Sequence, residues 1–181
     1  MNGHIDDTVR NVRNVGYAQP PQLFLNNGKG KFTEGGDQVG GGFNLPKVGR
    51  GLAIGDFDRD GDQDILMTTN NGPAYLCRND QTAGNRSIRF RLIGTKSNRD
   101  AIGAQVKVFA GGAMQTRMVR SGSSYLSQSE LPVTFGLGKH DRIERVVIDW
   151  PSGRSEEYKG LATGRMYEIT ESKGIRPENG F

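Results

Sequence analysis

Five aspartates occupy alternate positions, 56, 58, 60, 62 and 64, in the ten-residue stretch GDFDRDGDQD at 55–64. Unpaired carboxylates crowded into one turn would repel each other, so the pattern calls for a cation. Counted from Asp56, carboxylates fall at loop positions 1, 3, 5, 7 and 9, with Gly61 at position 6. Alternating ligands let a curling loop turn its oxygens toward one centre, and a glycine permits the sharp bend that a Cβ would obstruct. The spacing predicts side-chain ligation by Asp56, Asp58, Asp60 and Asp64, with Asp62 contributing its backbone carbonyl. An EF-hand would close with a bidentate Glu at position 12. That position is Met67, inside an apolar run, so the EF-hand is excluded. Hard carboxylate oxygens without His or Cys favour Ca²⁺ over Zn²⁺, and Mg²⁺ prefers fewer protein ligands. The alternative is a solvated acidic hairpin without metal.

A catalytic metal needs an open coordination position and a nearby base or nucleophile. A loop that fills its shell with protein oxygens reads as structural. The sequence offers little other catalytic chemistry. Cys77 stands alone on a strand-like segment, which excludes an internal disulfide and fits a small buried hydrophobe. His4 and His140 lie in separate polar segments. Ser123 lacks the GxSxG context of a hydrolase nucleophile. No catalytic residue is expected.

A second polar cluster is RSGSSYLSQ at 120–128. Tyr125 could stack on a sugar ring while Arg120, Ser123, Ser124 and Gln128 supply hydrogen bonds. The alternative is a Ser/Gly turn that satisfies its own backbone. Trp150 is either an exposed platform or a core residue at a strand end. Asn98, Arg99 and Asp100 form either a recognition loop or a simple turn.

The elements that must position these groups are almost all strands. Segments 22–26, 31–33, 51–55, 64–69 and 74–78 have β-branched or aromatic content bounded by turn residues. So do 88–93, 104–110, 114–120, 132–137, 145–150, 156–158 and 166–170. The NNGKG stretch at 26–30 suits a hairpin, and 70–73 is a second turn. The aspartate loop thus joins two strands. LFLNN at 23–27 is echoed by YLCRN at 75–79, a spacing compatible with one propeller blade. The seven later segments suggest an antiparallel sandwich or small barrel.

Charge is uneven. Residues 1–80 hold eight Lys and Arg against ten Asp and Glu; residues 81–181 hold sixteen against ten. The basic half is a candidate surface for acidic glycans, but Arg86, Arg89 and Arg91 read as the solvated face of a sheet. No nucleic-acid motif accompanies them. No run approaches the roughly 20 apolar residues of a membrane span, and the opening MNGHIDD shows no secretory signal pattern.

The aspartate loop with its flanks, DFDRDGDQDIL at 56–66, resembles the FG-GAP/VCBS repeat of integrin-like propellers, and PPQLFLNNGKGKF at 20–32 resembles the hairpin before it. NRDAIGA at 98–104, RSGSSYLSQ at 120–128, FGLG at 135–138 and DWPSG at 149–153 resemble the ASPIC/UnbV domain. NGH at 2–4 is similar to a turn inside longer proteins of this kind. The resemblance implies an all-β chain: a partial β-propeller of about one blade at 1–80, a sandwich at 81–174, and a flexible tail at 175–181. It further implies an extracellular or periplasmic module for adhesion, protein binding or glycan binding, stiffened by Ca²⁺. An orphan blade would pack on the sandwich or self-associate. A subunit of a sugar- or natural-product-processing enzyme and a purely structural propeller end are the alternative roles.

Overall fold

The computed structural model describes residues 3, 16–40, 42–80 and 83–178. Of the NGH stretch, Asn2 and His4 lie outside the described residues. Thirteen strands and no α-helix are present among them. Among the described residues no helix is long and apolar enough to cross a membrane. The chain divides into two compact units. One comprises the described residues of Met1–Ile54 with Asp64–Arg78 and Ser124–Ser127; the other comprises Gly55–Gln63, Asn79–Ser123 and those of Gln128–Phe181. Residues 55–63 group with the second unit and residues 124–127 with the first.

In the first unit β1 (Phe24–Asn26) pairs with β2 (Phe32–Glu34) as the expected hairpin. Its turn is closed by side chains: Asn26 Oδ1 accepts the Gly28 N–H at 2.9 Å and Asn27 Oδ1 the Lys29 N–H at 2.8 Å. A three-stranded sheet follows in the order β3 (Gly49–Gly55), β4 (Asp64–Thr69), β5 (Tyr75–Cys77). Met67 and Phe43 are buried in this unit. Lys47 is buried too, because its ammonium donates to the carbonyls of Gly42, Phe43 and Leu45 at 2.8–3.2 Å and lies 4.7 Å from the Tyr75 ring centre. A buried ammonium persists only when so satisfied.

The second unit is a sandwich of two four-stranded sheets. One has the order β11 (Ser155–Lys159), β10 (Arg145–Asp149), β7 (Gln105–Ala110), β8 (Ala113–Met118). The other has β13 (Gly174–Pro177), β12 (Arg165–Thr170), β6 (Arg86–Ile93), β9 (Val133–Gly138). Strict alternation explains the core. Val106 and Val108 of β7, Val146 and Ile148 of β10, and Phe135 of β9 point inward with at most 1 % exposure. Burying each such side chain contributes about 1.5–3 kcal/mol. Phe90 meets Phe135 edge-on and stacks on Tyr167, with ring centres 6.1 and 6.2 Å apart. Trp150 belongs to this core, 3 % exposed, so the platform alternative does not apply.

One of the two stated alternatives is taken, and two details differ from expectation. No sheet closes into a barrel among the described residues, which leaves the sandwich. The sheets are not wholly antiparallel: β6 and β12 run parallel, because the chain crosses through the opposite sheet before β12 is laid beside β6. Residues 175–177 are not a flexible tail but part of β13. The chain reverses after β12 with left-handed backbone at Ser172 (φ 63°) and Gly174 (φ 103°). Ile175 then packs on the core, and Arg176 pairs with Glu168 at 2.5 Å.

Glu171, just after β12, is fully buried and was not singled out by the sequence. Its Oε2 accepts the N–H groups of Thr95, Lys96 and Ser97, each at 2.8 Å. Its Oε1 accepts the hydroxyls of Ser97 (3.0 Å) and Ser152 (2.5 Å). Burial pushes the carboxyl upward, but the Ser152 hydroxyl and the three backbone donors outweigh it and bring the pKa down from 4.5 to about 2. The folded state therefore holds this proton less tightly than the unfolded state. The resulting stabilisation is complete above the unfolded value near 4.5 and is lost as pH falls toward 2. Glu171→Gln, which turns an amide N–H₂ toward a ring of donors, is expected to cost about 2–3 kcal/mol at neutral pH. The gap to wild type in urea unfolding should narrow steadily from pH 5 to pH 2.

Candidate metal centre

Within the loop between β3 and β4, carboxylate oxygens of Asp56, Asp58 and Asp64 lie within 4.8 Å of one another. Ten consecutive residues bring this about through their own backbone. Asp56 Oδ1 accepts the Asp60 N–H at 3.1 Å and its Oδ2 accepts the Gly61 N–H at 3.1 Å, so the first aspartate closes the bend on itself. Asp60 Oδ1 accepts the Asp62 N–H at 2.9 Å. Left-handed backbone at Arg59 (φ 64°) and Gly61 (φ 95°) makes the curl, and Gly61 is the glycine that the spacing argument required. Asp58 is exposed at the loop's rim, whereas Asp64 is 2 % exposed at the first position of β4.

Three of the four aspartates expected to ligate by side chain therefore converge. Asp60 stands outside the group with its carboxylate engaged in the turn, and Asp62 is half-buried beside it. The convergent donors are all hard oxygens, which fits a divalent cation of the calcium type. When bound, such an ion would supply charge neutralisation and rigidity. Asp56 Oδ1, which carries one backbone hydrogen bond, retains acceptor capacity for it.

The sequence reading misplaced Arg89. Period-two alternation along β6 puts Ile88, Phe90 and Leu92 inward and Arg89 outward, and an outward arginine was expected in solvent. It is 4 % exposed. Its two terminal nitrogens form ion pairs with Asp56 Oδ2 and with Glu130 Oε2. Asp56, whose side chain has no exposed area, is thereby compensated. Gln63 Nε2 donates to Glu130 Oε1 at 2.9 Å, and Ser87 Oγ donates to the Gly61 carbonyl at 3.0 Å. Burial raises the Glu130 carboxyl above its ordinary value; Arg89 and Gln63 offset part of that rise. Loss of one partner from such a buried pair leaves an uncompensated charge, at about 3–5 kcal/mol. Nothing local in the sequence marks Arg89, since Asp56 and Glu130 lie 33 and 41 positions away. Arg86 and Arg91, by contrast, are exposed as expected.

The cluster at 120–128 is divided between the units: Arg120, Ser123 and Gln128 in the second, Ser124 and Tyr125 in the first. Gln128 secures a turn, accepting the Gly122 N–H at 2.7 Å and donating to the Ser129 carbonyl at 2.6 Å. The Ser123 and Ser129 hydroxyls are 3.1 Å apart. Ser127 Oγ donates to the Tyr125 carbonyl at 2.9 Å and accepts the Leu52 N–H at 3.1 Å. Tyr125 and Leu126 project outward, 67 % and 90 % exposed. Asn98 makes a simple turn, exchanging two 2.8 Å hydrogen bonds with the backbone of Ile102.

With this geometry in view, known families match in the same order along the chain. The FG-GAP-like repeat matches residues 12–67. The ASPIC and UnbV domain matches residues 94–176. The chain is thus similar to an FG-GAP-like repeat followed by an ASPIC and UnbV domain. It is similar to cartilage acidic protein 1 of Homo sapiens, 31 % identical over 136 residues, which covers 72 % of this chain and 20 % of that protein. The Mus musculus protein is 30 % identical over 128 residues, covering 68 % of this chain and 19 % of its own length. That of Xenopus tropicalis is 32 % identical over 111 residues, covering 59 % and 17 %. The chain thus spans about a fifth of the length of these relatives. Within the FG-GAP-like repeat, Gly61→Ala would force an alanine into left-handed backbone at about 1–2 kcal/mol. Urea unfolding of the variant should read that cost as a lowered midpoint.

Proposed function

We propose that this chain is a calcium-stabilised extracytoplasmic binding module with no catalysis of its own, directed at a protein or glycan partner. The observation that carries the reading is the convergence of the Asp56, Asp58 and Asp64 carboxylates inside an FG-GAP-like repeat. Extracellular calcium modules work at dissociation constants of about 10⁻⁴–10⁻³ M, which suits an open loop with one exposed ligand. An extracellular or periplasmic setting agrees with relatives named for cartilage.

Recognition is supported by the outward Tyr125–Leu126 tip. A rigid aromatic beside an exposed aliphatic is a common anchor at protein and sugar interfaces. A second reading, the structural end of a longer propeller, is favoured by the first unit's exposed apolar side chains. Phe24, Phe32, Leu45, Leu66 and Leu76 are 42–62 % exposed, and Leu66 and Leu76 stand opposite each other on β4 and β5. Such a surface fits neighbouring blades or a second copy of the chain.

Calcium at a few hundred times its dissociation constant is expected to add about 3–4 kcal/mol of stability, reversed by chelation. Asp64→Asn should abolish the increment, and an unchanged melt in wild type would remove the calcium reading. Glycan or matrix-protein arrays probed with calcium-loaded protein should lose their signal on Tyr125→Ala. Sedimentation velocity of wild type and Leu66→Lys/Leu76→Lys separates the two roles, since only an apolar blade surface makes association sensitive to those lysines.

A further inference from the structure

Residues 55–63 belong to the sandwich unit, and specific polar contacts hold them there. Asp56 shares Arg89 with Glu130; Gln63 reaches Glu130; Ser87 reaches the Gly61 carbonyl. The Arg89 fork is the only one of these links that bridges two carboxylates, and it grips the first aspartate of the metal loop from strand β6. From these contacts we propose that Arg89 is a positioning residue that couples occupancy of the aspartate loop to the stability of the ASPIC/UnbV sandwich. The metal site would then serve the second domain at least as much as the blade whose sequence encodes it. This rests on the calcium reading above.

The physical argument concerns one carboxylate with two duties. Asp56 Oδ2 is committed to the Gly61 N–H and Arg89, whereas Oδ1 accepts the Asp60 N–H. An ion drawn to Oδ1 fixes a side chain whose other oxygen is already clamped to β6. Ile88 and Phe90, on either side of Arg89, are both fully buried in the sandwich core. Unfolding the sandwich removes the clamp and loosens the site. By linkage, the ion must then stabilise the sandwich by as much as sandwich folding tightens the site. Without Arg89 the loop can still collect an ion, but that ion's differential affinity for folded and unfolded sandwich falls to what the Gln63 and Ser87 links carry.

The chain supplies its own reporter. Trp150 is its one tryptophan and is buried in the sandwich core, so its fluorescence follows the second unit alone. Thermal unfolding read at Trp150, with Ca²⁺ or a chelator, is paired with calorimetric titration of Ca²⁺ on the same samples. Wild type is expected to bind Ca²⁺ and to raise the Trp150 midpoint by on the order of 10 °C at saturating ion. Arg89→Lys, which keeps the charge but cannot bridge both carboxylates, should keep calorimetric binding and lose at least half of that rise. Glu130→Gln should give a partial loss by the same readout, which covers the case in which an Arg89 variant does not fold. Calcium binding to wild type with an unmoved Trp150 midpoint would overturn the coupling while leaving the calcium reading intact. A full-sized rise in folded Arg89→Lys or Glu130→Gln would overturn the role of the clamp. Absence of calorimetric binding in wild type would overturn both.

Discussion

Compensation of the negative charge in one bend is the constraint on which the rest depends. The loop at 55–64 carries five aspartates, and folding buries the first of them completely on its side chain. A buried carboxylate is tolerated only with hydrogen bonds and a counter-charge. The loop supplies the hydrogen bonds from Asp60 and Gly61, and the neighbouring strand supplies Arg89. Asp56 is answered in this way by the protein itself. One of its oxygens, together with one each from Asp58 and Asp64, belongs to a compact set of hard donors. Local chain geometry, ion-pair chemistry and the proposed metal affinity are therefore three consequences of the same five charges.

The sandwich follows a related rule at Glu171. There a buried carboxylate has no cation but five donors, three from consecutive backbone N–H groups of 95–97 and two from serine hydroxyls. It ties the turn after β12 to the β6–β7 connection and to the bend after Trp150. The two sites show alternative answers to one problem: a guanidinium where two carboxylates must be joined, and a nest of dipoles where one must stand alone.

What the sequence made legible was whatever repeats locally. Strand β4 is read at 64–69 because its apolar run starts beside the aspartate loop and its β-branched end stops at Asn70–Asn71–Gly72. The hairpin at 26–30 is read because its left-handed positions fall on Gly28 and Gly30 and its asparagine side chains close the turn. The loop's own curl was readable for the same reason. Strand β13 was missed because its four residues include a glycine and a proline and have no alternation of their own; pairing with β12 creates them as a strand. Arg89 was misread because alternation tells which face a residue occupies, not what covers that face. Gln128 was read as a possible ligand contact because its amide chemistry is the same whether it faces a sugar or the Gly122 N–H.

The central claim is that Asp56, Asp58 and Asp64 jointly hold a divalent ion. The most direct measurement is a crystal structure of this chain grown with millimolar Ca²⁺, with an anomalous difference map to identify the ion. The account predicts one strong peak at calcium–oxygen distance, about 2.3–2.6 Å, from all three carboxylates. Well-ordered density for the loop with water alone between those oxygens, or a peak ligated by only one of them, would contradict it.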